Sequence, residues 1–272
     1  DAATGESLEA KLAESENSRL KELIQNPLRL WMLCQIWSSR QGTLPDTQAK
    51  LYASFIEYFY RWKEQIIKSY EKLCGTTVPE CQELLHEALG ELAKAAIDGK
   101  SSRFRLSYRL VSEYLGDRND ETSLLSLTLS LGWLNRVGID FDEPEESVYA
   151  FYHATFQEYF AALAVKDWDY FLPRNHVDFP VVGKEYRIFE AQWKQVILLW
   201  LGLEGVNRKQ KQEFIEALIG FEEGCNNFYG YRAYFLAAAG IGEFKDCSRA
   251  DEIVATIIKW SCGCFNIEKQ EW

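Results

Sequence analysis

Apolar residues recur every three or four positions through most of the chain. The runs break at proline, glycine and small polar clusters, as expected for amphipathic helices joined by turns. Within 7–40, Leu20, Leu23, Ile24, Leu28 and Trp31 keep helical spacing, but Pro27 interrupts it. Proline lacks an amide hydrogen and disfavours helical torsions at the residue before it, here Asn26. One helix is therefore expected to end near Gln25. Another should begin at Pro27, where proline suits a first turn. "QGTLPDTQ" (41–48) reads as a loop, with Asp46 the expected N-cap of a helix over 47–73. That helix would carry Leu51, Phe55, Phe59, Trp62 and Ile66 on one face. "CGTT" ends it, and "TVPE" (77–80) has the form of a capping box opening the next helix.

From residue 80 the pattern changes. A helix over 80–98 leads through "DGKSS" to a short alternating segment, "RFRLS" (103–107), and to helices over 108–116 and 120–131. "GIDFD" and "SVYAFYH" then alternate with period two around an acidic turn at 142–147, which predicts a β-hairpin. Helix, strand, helix, helix, hairpin is the order of a winged helix. After Val165 an aromatic connector (166–186) precedes helical segments over 187–203, 208–220, 227–240 and 249–262. Their length and alternation resemble stacked HEAT-type helix pairs. The expected fold is mainly α: a helical domain (1–79), a winged helix with a small β-hairpin (80–165) and the first HEAT-like repeats of an array (166–272).

Composition narrows the partners. Of 272 residues 47% are hydrophobic, enough for a substantial core, and the net charge is −11 with no basic run. Polyanion binding needs clustered Lys and Arg, so no nucleic acid is expected. The counterpart of a recognition helix, "DETSLLSLTLSL" (120–131), has neither. The most apolar stretch, "VILLWLGL" (196–203), is far short of the roughly 20 residues that span a bilayer, so no membrane partner is expected. Seven cysteines without a CxxC pair suggest reduced thiols and a cytoplasmic protein, with no metal site. The chain opens without Met, and a fragment of a longer protein is expected.

Candidate chemistry is sparse. Gly99-Lys100-Ser101 lacks the first glycine of GxxxxGK[ST], and Lys94 stands there instead. The acids of 142–147 fit a solvated hairpin tip. No catalytic triad is visible, so no catalytic residue is assigned. In "FYHATFQEYFAALAV" (151–165), Thr155 and Glu158 match a capping box, and Phe156, Tyr159, Phe160 and Leu163 match a buried face. His153 stands beside that helix start, where free amides and the positive dipole end favour a phosphate. On spacing alone, a plain strand-end histidine that packs or meets solvent is the favoured reading. Pro27 could offer a rigid apolar edge to an aromatic base, or be a helix break only.

Two motifs together resemble NACHT-type STAND NTPases. "NPLRLWMLCQIW…LPDTQAKLYASFIEYF" is similar to the segment that follows the nucleotide-binding core in that family. "FYHATFQEYFAA" is similar to its winged-helix signature, and "FEAQWKQVILLWLG" to the start of the array in bacterial members. The resemblance implies a regulatory portion that closes over ADP at rest and passes ligand sensing on to oligomerisation. It implies that His153 bonds the ADP β-phosphate and that Pro27 lies against adenine. The nucleotide, ADP or ATP with Mg²⁺, would belong to the full-length parent, whose upstream NTPase core is the implied partner. No Walker A or Walker B segment is present in the sequence, so catalysis by this chain alone is not expected. A bacterial member is associated by analogy with stress signalling or defence. Two other readings remain at this point: a stand-alone helical scaffold for protein partners, and a winged-helix DNA-binding regulator.

Overall fold

A computed structural model describes residues 2–14, 18–39, 44–99, 103–139, 147–224 and 228–262. The described chain is mainly α-helical with one three-stranded antiparallel sheet. It divides into two compact units, 1–164 and 165–272.

In the first unit, helices α1 (Ala2–Ala13) and α2 (Ser18–Leu23) precede α3 (Pro27–Ser39). The break expected before Pro27 is present. Asn26 Oδ1 accepts from the amides of Leu28 and Arg29 at 3.0 and 3.3 Å, so Asn26 is the cap and Pro27 the first helical residue. The helix expected over 47–73 is two helices, α4 (Gln48–Trp62) and α5 (Glu64–Cys74), parted at Lys63. The break shifts the helical phase. Leu51, Phe55 and Tyr60 are buried in α4, but Trp62 is 65% exposed and Ile67, not Ile66, reaches the core in α5. The cap of α4 also lies one residue later than expected. Thr47 Oγ1 accepts from Lys50 N at 3.2 Å, while Asp46 pairs with Lys50 Nζ at 3.0 Å.

The expected order of helix, strand, helix, helix and hairpin is present. It runs α6 (Val78–Asp98), β1 (Leu106–Ser107), α7 (Tyr108–Leu115), α8 (Leu124–Leu131), β2 (Leu134–Ile139), β3 (Ser147–Phe151) and α9 (Ala154–Ala164). The sheet order is β1-β3-β2, with Leu106 opposite Tyr149 and Leu134 opposite Phe151. The hairpin tip with its acidic residues at 142–146 lies outside the described residues, as do Lys100 and Ser101. Thr77 and Glu80 form the capping box at α6 as the sequence predicts. Helices α6 and α9 approach so closely that a Cβ on Gly90 would sit 2.7 Å from Ala164 Cβ and 2.8 Å from Phe160 O. Glycine is needed there for contact between backbones. Trp133, Phe156 and Phe160 fill the centre beneath, with Trp133 5.2 and 5.3 Å from the other two rings.

The second unit begins with single turns of 3-10 helix at Trp168–Tyr170, Arg187–Phe189 and Ala191–Trp193, where the sequence suggested a longer helix from 187. Then follow α10 (Lys194–Gly202), α11 (Arg208–Ile219), α12 (Phe228–Gly240) and α13 (Ala250–Cys262). Phe171, Trp193, Trp200 and Phe214 make its core, and Trp200 Nε1 donates to Val165 O at 2.9 Å.

Candidate functional site at the starts of α3 and α9

The structure places His153 at the tip of the hairpin's second strand, exposed, immediately before α9. It does not stand beside a Thr155 cap: it is the cap. Its Nδ1 accepts from the Thr155 amide at 3.2 Å and lies 3.0 Å from Thr155 Oγ1. An amide N–H can only donate, so Nδ1 carries the lone pair. The ring proton is then on Nε2, the nitrogen left for a ligand.

The capping box expected at Thr155–Glu158 is therefore not formed. With His153 as the cap, the third helical residue is Phe156, whose amide bonds His153 O at 3.0 Å. Phe156 is fully buried and packs against Trp133, and Tyr52 of α4 meets it edge-on at 5.5 Å. Burial of Phe156 sets the frame of the helix start. Glu158 falls two residues too far along to reach back. It pairs instead with Arg103, at 3.7 Å, from the segment before β1. Gln157 ties the same segment by donating to Arg103 O at 2.8 Å. Burial raises the Glu158 carboxyl above its usual pKa, while Arg103 and then Arg29 draw it back.

Pro27 is exposed on the first turn of α3. Two residues on, Arg29 reaches Tyr52, as does Thr155 from α9. Burial raises the Tyr52 pKa, and Thr155 and then Arg29 oppose the shift. The first turns of α3 and α9 thus flank one tyrosine, which brings the elements carrying Pro27 and His153 together. Tyr52 Oη and Arg29 Nε are both buried, and neither makes a hydrogen bond of good geometry among the described residues, so the contacts of Thr155 and Arg29 with the hydroxyl are long ones. Tyr159 stacks on the Tyr52 ring at 5.4 Å and holds it in place.

The sequence did not single out Arg29, Tyr52 or Arg103. A signal for Arg29 was available: it is the one charged residue in the run "PLRLWMLCQIW". The others depend on contacts between segments far apart in the chain. Among the described residues no group of three or more His, Cys, Asp or Glu side chains could hold a metal ion. No helix among them is long and apolar enough to cross a membrane. The chain matches no family model and no curated protein.

The arrangement can offer an imidazole Nε2–H beside a helix N-terminus to an anionic oxygen, and an exposed pyrrolidine face to an aromatic ring. These fit a nucleotide's phosphate and base in kind. Among the described residues no glycine-rich phosphate loop accompanies them.

Proposed function

We propose that this chain is the regulatory and sensor portion of a NACHT-type signal-transduction NTPase. In this reading His153 Nε2–H donates to the ADP β-phosphate and Pro27 packs against adenine, both in a protein that includes the nucleotide-binding core. The observation that carries the reading is the capping of α9 by His153. It fixes the ring by Nδ1 and leaves Nε2 as the donor, next to backbone amides whose dipole favours a phosphate. Pro27 and Arg29 on the first turn of α3, sharing Tyr52 with Thr155, support a common face for base and phosphate.

ADP bound there favours the closed arrangement. A ligand that binds the helical array better in the open arrangement, together with exchange for ATP, shifts the population and permits oligomerisation. The chain supplies no catalytic group in this scheme, and the protein works in the cytoplasm. The experiment is the nucleotide content of the purified full-length protein, extracted and separated by chromatography. Wild type is expected to retain ADP and His153→Ala to lose most of it. Equal ADP retention in the two would sink the assignment of His153.

A second reading, a helical scaffold for protein partners without nucleotide, draws on one observation. Phe228, Phe235 and Ile258 of α12 and α13 are 60, 54 and 57% exposed, apolar side chains that a protein partner would cover. Full-length protein that purifies without nucleotide and binds none would favour it.

A further inference from the structure

The turn between α5 and α6 carries chemistry that the nucleotide reading does not use. Cys74 is the last residue of α5, and Cys81 is the fourth of α6. Between them Gly75, at φ 72°, closes α5, and Thr77 caps α6, so the chain reverses and brings the two ends together. Both cysteines are free thiols and both line one cavity of about 300 Å³.

The two thiols differ. Cys74 is half-buried and its Sγ–H donates to Thr122 O at 3.7 Å, beside Tyr70 Oη, which donates to the same carbonyl at 2.5 Å. Cys81 is 1% exposed. Burial, then the neighbouring Cys74 and Glu71, push its thiol up to about 11. Both thiols line the same cavity, with only the short α5–α6 turn between them. Thr76 on the same cavity wall has a buried Oγ1 without a hydrogen-bond partner among the described residues. The space between the thiols is therefore bounded by leucines and hydroxyls, with no charged side chain among its lining residues.

We propose that Cys74 and Cys81 are an oxidant-sensitive pair that closes to a disulfide, stapling the end of α5 to the first turns of α6. The oxidant is a low-molecular-weight disulfide such as oxidised glutathione. The accessible Cys74 thiolate attacks one sulfur of the oxidant. A mixed disulfide forms, the oxidant's own S–S bond breaks, and one thiolate leaves and takes a proton. Cys81 then loses its proton to water and attacks the Cys74 sulfur. The internal disulfide forms as the second small thiolate departs and is protonated. Two protein thiols are oxidised and one small disulfide is reduced to two thiols. The first step is the faster, because Cys81 is enclosed and held protonated while Cys74 reaches solvent.

The test is a time course with oxidised glutathione at about pH 8, the pH at which thiol exchange proceeds readily. Samples are quenched in acid, alkylated, digested and mapped by mass spectrometry. In wild type a glutathione adduct at Cys74 is expected first. It should give way to a linked 74–81 peptide lighter by two hydrogens. Cys81→Ala should stop at a stable Cys74 adduct, and Cys74→Ser should leave Cys81 unmodified. Far-ultraviolet circular dichroism of each variant checks that it is folded. A wild-type adduct at Cys74 that persists without closing overturns the proposal. So does Cys81 reacting first, or Cys74 linking to a different cysteine. None of these outcomes bears on ADP retention, so this inference and the nucleotide reading fail separately.

Discussion

Helices α6 and α9 lean on each other across Gly90 and Ala164, and both begin at a Thr-x-x-Glu sequence. One start obeys the local pattern and the other does not. At α6, Thr77 Oγ1 accepts from Glu80 N, and Glu80 reaches back to the Thr77 amide at 3.0 Å. Those bonds hold the Glu80 carboxyl below its usual pKa. At α9 the same letters are spent otherwise. Glu158 turns to Arg103 and is pushed above its usual pKa by burial, and the cap passes to His153. The histidines divide in the same way. His86 of α6 is half-buried, stacked on Tyr60 at 5.4 Å with its Nε2 2.7 Å from Tyr60 Oη, and burial lowers its pKa to about 4. His153 of α9 is exposed and braces a helix start. A capping pattern prevails where nothing competes for its members; a buried aromatic at the next position overrides it.

The comparison can be broken hardest at Phe156. If its burial sets the frame of α9, Phe156→Ala should cost about 3–5 kcal/mol, read as a lower urea midpoint. The matching truncation of an exposed neighbour, Tyr152→Ala, should shift the midpoint little.

Acid should sharpen the contrast between the histidines. The folded His86 pKa lies below its unfolded value of 6.5, so the folded state binds fewer protons between these pKa values. The corresponding stability is present above pH 6.5 and lost as pH falls through about 4. The shift amounts to roughly 3 kcal/mol. Urea titrations across that window should show the loss, and His86→Gln should flatten it.

A smaller effect separates the two threonines. Thr77→Ala should cost about 1 kcal/mol by loss of the cap. Thr155→Ala should stay within about 0.5 kcal/mol, because Thr155 caps nothing. Equal costs in thermal melts would show that both helices start alike.

The smallest effect is the opposite titration of the glutamates. Glu80, depressed, contributes stability that is present above its unfolded pKa and lost as pH falls through the folded one. Glu158, raised, does the reverse: stability declines as pH rises through its folded pKa. Carbon-detected carboxyl titrations should place Glu80 below the ordinary value of 4.5 and Glu158 above it. Glu158→Gln should remove the decline.

Much of the architecture was legible in the sequence, for local reasons. Asn26-Pro27 carries its own stop and start, and Thr77 and Glu80 lie within four residues; the hairpin departs, because β2 (Leu134–Ile139) begins ahead of "GIDFD", whose residues 140–142 lie outside the described residues, and β3 is buried at four of its five positions rather than at alternate ones. The departures arise where distant segments decide. The break at Lys63 lies inside an unbroken apolar pattern, and only the burial of Ile67 reveals the change of phase. Arg103 claims Glu158 across more than fifty positions, and Tyr52 gathers Arg29 and Thr155 from different helices. The motif pointed to His153 and Pro27 as candidates, but not to the imidazole's service as the cap, which is what determines the nitrogen it offers.

That point is open to one direct measurement on this chain: the imidazole ¹⁵N resonances of His153 at neutral pH, assigned by comparison with His153→Asn. We expect an unprotonated Nδ1 whose signal shows a hydrogen bond accepted from the Thr155 amide, with the proton on Nε2. A proton on Nδ1, or an Nδ1 signal indifferent to Thr155→Pro, would contradict the account of how α9 begins and of what His153 presents to a ligand.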